Sequence, residues 1–307
     1  MTDAQAPIIK SLRPPLVAVL LATYNGESWL REQVDTILAQ RGVRVSIHAS
    51  DDRSTDTTGA LLRVYESEGL LVQLPSGERM GNANRNFMRL VQDAEISDAD
   101  FVAFADQDDV WHADKLERAI HVLARDGAQA YSSDVTAFWK HGSQRLLAKS
   151  QPQRAFDYLF EAPGPGCTFV LTRAAFDELR AWVHIHEKQV RQAKAHDWLI
   201  YAYARVQGWR WTIDARPGLL YRQHERNEVG ANVGRDAARL RFAHLRNGGF
   251  RHDALVIATL VHDDSWVFAA LRRLSVVDRL RLAVSFRSLR RRWRDALVMI
   301  TFVLATR

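Results

Sequence analysis

The sequence predicts an α/β fold with a doubly wound, mostly parallel sheet and a basic helical C-terminal appendage. Short apolar runs, which are typical of strands buried on both faces, alternate with segments of helical periodicity. The first run covers residues 16–22, and a later one, residues 101–105, leads directly into an acidic run at 106–109. Such alternation of strands and helices is typical of parallel sheets covered by helices.

The other elements follow from the same patterns. Predicted strands cover residues 43–49, 70–74, 130–139, 168–171, 209–213 and an apolar run that ends at 221. Predicted helices cover residues 27–40, 57–67, 81–94, 113–125, 174–183 and 196–207. Polar clusters lie at the predicted strand ends, at 23–26, 51–56, 106–109, 196–198 and 222–224. Since ligands of open α/β sheets bind beyond the carboxyl ends of the strands, these clusters predict a ligand site.

Length and composition limit the classes of protein. A chain of 307 residues allows one large domain, or one domain with an appendage. The single cysteine, Cys167, excludes an internal disulfide framework and is typical of a reducing cytosol. The N-terminus shows no signal-peptide pattern, and no run reaches the roughly 18 uncharged apolar residues of a spanning helix. We therefore expect a cytoplasmic protein, or one peripheral to the inner face of the plasma membrane.

Charge is distributed unevenly along the chain. The net charge is +6, but residues 235–307 contain fifteen Arg, no Lys and six Asp, so this part carries +9 and the rest carries −3. We therefore divide the chain into a catalytic domain at 16–234 and a basic amphipathic helical region at 235–307. That region either covers the base of the domain or docks on an anionic membrane surface, and its interleaved basic and apolar residues favour docking. Nucleic-acid binding is disfavoured, because the acidic front half offers no basic groove.

The acidic run at 106–109 predicts a metal site. Its three carboxylates repel one another, and a divalent cation that bridges to an anionic ligand would relieve that repulsion. The alternative is a polar turn in which Asp109 or Asp114 caps the next helix. The glycine motifs of dinucleotide-binding folds and of P-loops are both missing from the sequence, so neither phosphate cradle is supported.

Five ordered segments resemble family 2 glycosyltransferases of the GT-A fold, and among them the rhamnosyltransferase-like bacterial members. The segments are Ala-Thr-Tyr-Asn-Gly at 22–26, Ser-Asp-Asp-Arg-Ser-Thr-Asp at 50–56, Asp-Gln-Asp-Asp-Val-Trp at 106–111, His-Asp-Trp at 196–198 and Tyr-Arg-Gln-His at 221–224. The resemblance covers about residues 16–234. One departure is Arg53, because the family usually has Gly after the acid pair.

The resemblance implies an inverting, divalent-metal-dependent glycosyltransferase of the hexosyltransferase type. The enzyme would move a sugar, with rhamnose as the candidate, from a UDP- or dTDP-linked donor. The acceptor would be a hydroxyl of a glycan or a polyprenyl-linked molecule, in the biosynthesis of cell-surface polysaccharide.

The resemblance also implies roles for single residues. Asp197 would be the general base that accepts the proton of the acceptor hydroxyl, although an acid that opens a helix can also be its N-cap. Asp106, Asp108 and His224 would bind Mg²⁺ or Mn²⁺. Nucleotide and donor contacts would come from Thr23, Tyr24, Asn25, Asp51, Asp52, Arg85, Asp106, Gln107 and Arg222. The role of Asp109 stays open: it would either support the metal ligands or cap the next helix.

Two other functions compete with this interpretation. Asp106-x-Asp108 after an apolar strand also fits the nucleophile motif of haloacid-dehalogenase-like phosphatases. That motif is expected near the start of a chain, and the later acid pair, Asp263-Asp264, lies in a predicted helical region. The third interpretation is a non-catalytic factor for binding or assembly of polysaccharide. Phosphate release from simple phosphoesters would indicate the phosphatase, and absence of donor turnover would favour the non-catalytic factor.

Overall fold

The computed structural model describes residues 13–96, 98–224 and 248–305. The described strands are β1 (Leu16–Thr23), β2 (Arg44–Asp51), β3 (Leu71–Gln73), β4 (Phe101–Ala105), β5 (Val110–Trp111), β6 (Ala130–Ser133), β7 (Val135–Trp139), β8 (Gln144–Leu147), β9 (Val170–Thr172), β10 (Trp211–Asp214) and β11 (Leu219–Gln223).

Helices alternate with these strands and then form the C-terminal part of the chain. The described α-helices are α1 (Leu30–Leu38), α2 (Thr58–Ser67), α3 (Ala83–Asp93), α4 (Lys115–Asp126), α5 (Arg173–Ile185), α6 (Glu187–Val190), α7 (His196–Val206), α8 (Gly249–Leu260), α9 (Trp266–Arg273), α10 (Val276–Val284) and α11 (Trp293–Ala305). Short 3-10 turns cover Asp157–Leu159, Gly166–Thr168 and Phe286–Ser288.

A seven-stranded sheet in the order β10-β6-β9-β4-β1-β2-β3 forms the centre of the molecule. Only β9 is antiparallel to its neighbours in this sheet, and the other pairs are parallel. The carboxyl ends of β1, β2 and β4 therefore meet at one edge, which carries the polar clusters at 23–26, 51–56 and 106–109. The predicted α/β fold with a mostly parallel sheet is confirmed.

Helices cover both faces of this sheet. Alternate side chains of β1 enter two hydrophobic clusters, with Leu20 in one and Leu21 in the other. Helices α3, α5 and α7 contribute to the first cluster, and α1, α2 and α4 contribute to the second. Because both faces of β1 are buried, its sequence is a continuous apolar run rather than an alternating one.

A smaller sheet, in the order β5-β11-β7-β8, lies beside the acidic end of β4. The prediction of one strand over 130–139 was wrong here, because the chain passes from the large sheet to the small one at Asp134. The buried Asp134 carboxylate accepts hydrogen bonds from the backbone N–H groups of Lys149 (2.6 Å) and Ser150 (2.9 Å). Asp134 therefore joins the crossing point to the loop after β8.

The C-terminal helices pack on the face of the sheet that carries α3, α5 and α7. Ile257, Leu271, Leu289 and Met299 belong to the same hydrophobic cluster as those helices. Residues 225–247, and with them the predicted boundary between 234 and 235, lie outside the described residues. Among the described helices, none combines the length and the apolar character needed to cross a lipid bilayer.

Candidate active site

The first two polar clusters form one hydrogen-bonded unit at the ends of β1 and β2. Thr23 Oγ1 donates to Asp51 Oδ1 (2.9 Å), and the backbone N–H of Asn25 donates to Ser54 Oγ (2.8 Å). In return, the Asn25 side-chain oxygen accepts from the backbone N–H of Thr55 (2.8 Å). Asn25 has a φ of 49°, a left-handed conformation that asparagine tolerates better than most residues. The unit gives the predicted donor contacts Thr23, Asn25 and Asp51 a fixed arrangement.

Asp52 holds the loop that leads into α3. Its buried carboxylate accepts hydrogen bonds from the backbone N–H groups of Met80 and Gly81, the latter at 2.8 Å. A carboxylate oxygen has two acceptor positions, so these bonds leave Asp52 able to accept another hydrogen. The donor-binding roles of Asp51 and Asp52 remain predictions.

Arg53, the departure from the usual pattern of the family, directly follows Asp52 in the chain. Arg53 adopts a φ of 59°, which lies in the left-handed region that glycine occupies without steric cost. The arginine therefore takes the backbone conformation for which the family's usual glycine is suited.

Gln107 joins the acidic run to the first polar cluster. Its side-chain amide accepts from Tyr24 N (2.8 Å) and donates to Tyr24 O (2.8 Å). A Cβ added at Gly26 would lie 2.2 Å from Gln107 Oε1, so a larger residue at position 26 would displace the amide. The Tyr24 ring is partly exposed, and the Arg79 guanidinium lies 4.8 Å from its centroid. Arg79 is a neighbour of the donor cluster that the sequence analysis missed.

Asp108 and His224 meet although 116 residues separate them. His224 Nε2 lies 2.7 Å from Asp108 Oδ2, and the Trp29 ring stacks on the imidazole at a centroid distance of 3.9 Å. The structure thus brings together two of the three predicted metal ligands. Trp29 immediately precedes α1, and no local sequence pattern links it to His224.

Asp109 lies beneath the other two acids. It is fully buried, and one of its oxygens accepts from Arg222 N (3.2 Å) while the other lacks a hydrogen-bond partner among the described residues. Burial raises the pKa of Asp109 well above its ordinary value, and the charges of Asp108 and Asp106 raise it further. Neither proposed side-chain cap forms, because Asp109 is buried and the side chain of Asp114, the residue at the N-cap position of α4, makes no capping hydrogen bond.

The described residues contain one group of three metal-ligand side chains, namely Asp106, Asp109 and Cys167, whose ligand atoms lie within 4.8 Å of one another. Burial raises the pKa of the Cys167 thiol, and the neutral thiol is a poor ligand for a hard cation. Below this group, the buried Lys115 ammonium lies 3.4 Å from the centroid of Trp111, and burial lowers its pKa to about 7. Cys167 and Lys115 are thus buried neighbours of the acids, and the sequence analysis did not identify either residue as part of the site.

Carboxylates, an imidazole and an unpartnered buried oxygen fit a hard divalent ion. Asp106 and Asp108 would supply oxygen ligands, and the unpartnered oxygen of Asp109 lies in a cluster whose mutual repulsion a cation would reduce. The residues present therefore fit Mg²⁺ or Mn²⁺. Binding by Asp106, Asp108 and His224 stays a prediction.

Arg222 closes the site from the small sheet. Its guanidinium donates to the backbone oxygen of Asp108 (2.8 Å), forms an ion pair with Glu32, and lies 4.6 Å from the centroid of Phe138. Planar stacking and paired donors hold the side chain beside the acids. For the predicted contact with the donor diphosphate, the N–H groups of Arg222 would have to be shared between the phosphate and these partners.

Arg85, another predicted donor contact, hydrogen-bonds to backbone oxygens of two other segments. Its exposed guanidinium is within hydrogen-bond distance of the backbone oxygens of Arg191 (3.4 Å) and Met80 (3.5 Å). The adjacent Asn86 is buried instead, and its amide donates to Ser50 O (2.9 Å) and Thr23 O (3.3 Å). Asn86 therefore ties the ends of β1 and β2 together beneath the site.

Asp197 lies in the first turn of α7, directly after His196. A Cβ added at Gly166 would lie 1.9 Å from His196 Nε2, and the next residue, Cys167, contacts the acids of β4. The His196 ring packs at 3.9 Å from the Phe87 centroid, and burial lowers its pKa to about 3, so it is a neutral core group. The turn at Gly166–Thr168 thus joins α7 to the acidic cluster.

The environment of Asp197 suits a base. Burial raises its pKa to about 6, while a hydrogen bond from Trp198 N (2.7 Å) and the charge of Lys149 act in the opposite direction. A carboxylate with a raised pKa is a stronger base than an exposed one and is still largely ionised at neutral pH. Ala195 is the N-terminal cap residue of α7, so Asp197 is not the cap.

Comparisons with known proteins identify a family and a relative that covers most of the chain. A family model described as "Glycosyl transferase family 2" matches residues 18–180. The dTDP-rhamnosyl transferase RfbG of Shigella flexneri is 38% identical over 286 residues, which are 92% of this chain and 99% of that protein. These findings give no support to the phosphatase or the non-catalytic assembly factor.

Solved structures share the fold. TarS 1-349 of S. aureus has a TM-score of 0.52 at 14% identity, with 94% of this chain and 89% of that chain covered. The mannosyltransferase PcManGT of Pyrobaculum calidifontis, solved with GDP-Man and Mn²⁺, has a TM-score of 0.50 at 17% identity, with 96% and 86% covered. At these identities the likeness concerns the fold alone.

Proposed function

The chain belongs to glycosyl transferase family 2, and we propose that it transfers rhamnose from dTDP-rhamnose, with inversion, to a hydroxyl of a glycan or lipid-linked acceptor. The reaction would serve the biosynthesis of cell-surface polysaccharide. The observation that carries the proposal is the contact between Asp108 and His224, which joins two of the strand-end clusters although 116 residues separate them. RfbG, described as a dTDP-rhamnosyl transferase, supports the choice of donor, because it matches the chain over nearly its whole length.

The donor half of the site would hold the nucleotide at the ends of β1 and β2. Asp51 and Asp52 are acceptors that suit the imide N–H of a pyrimidine base, and Thr23 and Asn25 keep their loop in place. Gln107 fixes the Tyr24 backbone between this loop and the acids. Tyr24 itself offers a partly exposed ring to the donor.

Asp106, Asp108 and His224 would hold Mg²⁺ or Mn²⁺ next to the donor diphosphate. A bound cation supplies positive charge against the departing nucleoside diphosphate. PcManGT, which shares the fold, was solved with Mn²⁺ and is consistent with this choice of ion. Arg222, whose Nε donates to the backbone oxygen of Asp108, would share its N–H donors with phosphate oxygens.

Asp197 would accept the proton of the acceptor hydroxyl. As that oxygen forms its bond to C1 of the sugar, the bond between C1 and the diphosphate oxygen breaks, and the proton passes to the Asp197 carboxylate. The nucleophile enters on the face opposite the leaving group, so the anomeric configuration inverts. The raised pKa of Asp197 keeps proton transfer favourable at neutral pH.

A steady-state comparison of Asp197→Asn with the wild type tests this assignment. The amide keeps the oxygen that accepts from Trp198 N but cannot accept a proton, so we expect kcat to fall by about 10²- to 10⁴-fold. Binding of dTDP, measured by calorimetry, should be unchanged. Turnover of the variant at the wild-type rate would remove Asp197 as the base.

The C-terminal helices would dock the enzyme on an anionic membrane surface. Valines 276, 277 and 284 of α10 are 73%, 73% and 84% exposed, and Leu280 on the same helix is 58% exposed. The same C-terminal region carries exposed arginines at positions 272, 273, 281, 287, 292 and 294. Exposed apolar and basic side chains in one region match the interface of an anionic bilayer, where a lipid-linked acceptor would lie. Arg290 and Arg291 take no part, because both pair with acids inside the protein.

A further inference from the structure

Two histidines from distant parts of the chain meet between the α/β part and the C-terminal helices. His186 directly follows α5, and His262 lies in the turn between α8 and α9, 76 residues later. His186 is partly exposed and His262 is exposed, so ions in solution reach both imidazoles. The proposed glycosyl transfer uses neither side chain.

The two imidazoles approach each other through their Nε2 atoms. These nitrogens are 3.3 Å apart, while the ring centroids are 5.4 Å apart and the ring planes are inclined at 61°. The separation of the nitrogens is longer than the about 2.7–3.2 Å that is typical of a hydrogen bond from N–H to oxygen. Two imidazole nitrogens that bind one tetrahedral Zn²⁺ at about 2.0–2.1 Å are about 3.3–3.4 Å apart. The spacing of the pair therefore matches one edge of a tetrahedral zinc site.

Trp182 determines which nitrogen of His186 carries the proton. His186 Nδ1 lies 3.0 Å from the carbonyl oxygen of Trp182. Because a carbonyl oxygen only accepts, the proton is assigned to Nδ1, and the Nε2 atom of the neutral ring keeps its lone pair beside His262. Metal-binding histidines commonly donate their other N–H to a carbonyl or carboxylate in this way. His186 is thus already in the tautomer that a metal requires.

The turn that carries His262 has an unusual and well-supported backbone. His262 has a φ of 53°, in the left-handed region where a residue other than glycine is uncommon. The next residue, Asp263, is buried and accepts hydrogen bonds from Tyr158 Oη (2.8 Å) and Ser265 Oγ (2.6 Å). These bonds hold the turn in place, so the His262 backbone needs no rearrangement to present its imidazole to an ion.

We propose that His186 and His262 bind a Zn²⁺ ion, which would join the end of α5 to the turn between α8 and α9. Imidazole nitrogens suit Zn²⁺, whereas Mg²⁺ and Mn²⁺ prefer oxygen ligands such as the carboxylates after β4. The two sites therefore select different ions, with water completing the coordination of Zn²⁺. The ion would fasten the C-terminal helices to the α/β part, and this role does not depend on the proposed function.

Urea unfolding of the full chain, without a polyhistidine tag, tests the site. Unfolding is measured with Zn²⁺ and with a chelator, both in excess Mg²⁺ so that a hard cation competes for the acids after β4. We expect Zn²⁺ to raise the urea midpoint of the wild type, because an ion that binds the folded state stabilises it. His186→Gln and His262→Gln should each lose most of this shift. Calorimetry should show that each variant binds Zn²⁺ at least about tenfold more weakly than the wild type.

His184→Gln is the matched control. His184 is exposed on α5, two residues before His186, and side chains two residues apart on a helix do not face each other. We expect this variant to keep the zinc affinity and the midpoint shift of the wild type.

The proposal is overturned if Zn²⁺ leaves the midpoint of the wild type unchanged. It is also overturned if Zn²⁺ shifts the wild type, His186→Gln and His262→Gln equally, since the ion would then bind elsewhere. A pair that serves only as a hydrogen bond between the rings would make both variants less stable in chelator and leave all the proteins unresponsive to Zn²⁺, which contradicts the site as well.

Discussion

Asp197 combines two properties that oppose each other. Burial raises its pKa to about 6, which suits a base but makes the ionised carboxylate costly to the folded state. In the unfolded chain the same carboxyl group is solvated and has the ordinary aspartate pKa of 3.8. The folded state therefore loses stability as the pH rises from the lower value through the higher one, and the loss is complete above about pH 6.

Asp197→Asn should therefore stabilise the protein above that pH. Allowing for partial exposure of the side chain, we expect a gain of about 1–2 kcal/mol near neutral pH that vanishes below about pH 4. Urea unfolding of both proteins across this pH range measures the gain. A constant difference at all pH values would show that the carboxylate is not desolvated as described.

At the scale of elements, strands buried on both faces were the most predictable. The predicted strands at 16–22 and 101–105 match the bounds of β1 and β4 to within two residues. A continuous apolar run that ends in polar residues is typical of a strand that is buried on both faces. The run at 130–139 gave no sign of its division, which depends on hydrogen bonds from Asp134 to residues 149 and 150. Contacts of that kind are not encoded in local periodicity.

The candidate site also has a part that could be predicted from the sequence and a part that could not. Polar groups at strand ends were predictable, because topology alone brings the ends of parallel strands together. The stacking of Trp29 on His224 and the placement of Cys167 and Lys115 beneath the acids were not predictable, since each depends on packing between distant segments. The position of Arg291 beside Asp157, 134 residues earlier in the chain, belongs to the same class.

Arg291 fastens the C-terminal segment to the α/β part. Its buried guanidinium contacts Asp157, Glu161 and the backbone oxygen of Ala162. Arg291→Met leaves both carboxylates with fewer partners, and we expect a loss of about 2–4 kcal/mol in the free energy of unfolding. Chemical denaturation followed by tryptophan fluorescence provides the measurement.

Arg287→Met is the control for that loss, because the side chain is exposed and should change stability by less than about 0.5 kcal/mol. Equal stability of the two variants would mean that the ion pairs of Arg291 contribute nothing net.

At the scale of the whole molecule, the basic C-terminal region has two parts with different roles. Arg290 and Arg291 form ion pairs with Glu161 and Asp157 inside the protein. Apolar side chains of α10 are exposed, as are the arginines of this region at positions 272, 273, 281, 287, 292 and 294. The sequence analysis predicted a single basic region, but in the structure some of its arginines pair with acids inside the protein and others are exposed.

The exposed apolar and basic side chains of the C-terminal region predict binding to anionic lipid. Val277→Glu with Val284→Glu should reduce co-sedimentation with anionic vesicles by about tenfold or more, because each change removes buried apolar area and adds repulsion. Leu146→Glu, at a 54% exposed leucine of β8, is the matched control and should leave binding unchanged. Equal sedimentation of the double variant and the wild type would place the membrane contact elsewhere. So would binding of the wild type that is equal for neutral and anionic vesicles.

The central claim is that the strand-end clusters form a metal-dependent donor site. Calorimetric titration of dTDP-rhamnose into the wild type and Asp108→Asn, with Mn²⁺ or with a chelator, tests it most directly. We expect binding to the wild type with Mn²⁺, and a loss of about tenfold or more when either the ion or the Asp108 carboxylate is removed. Equal affinity in all four titrations, or no binding in any of them, would contradict the account.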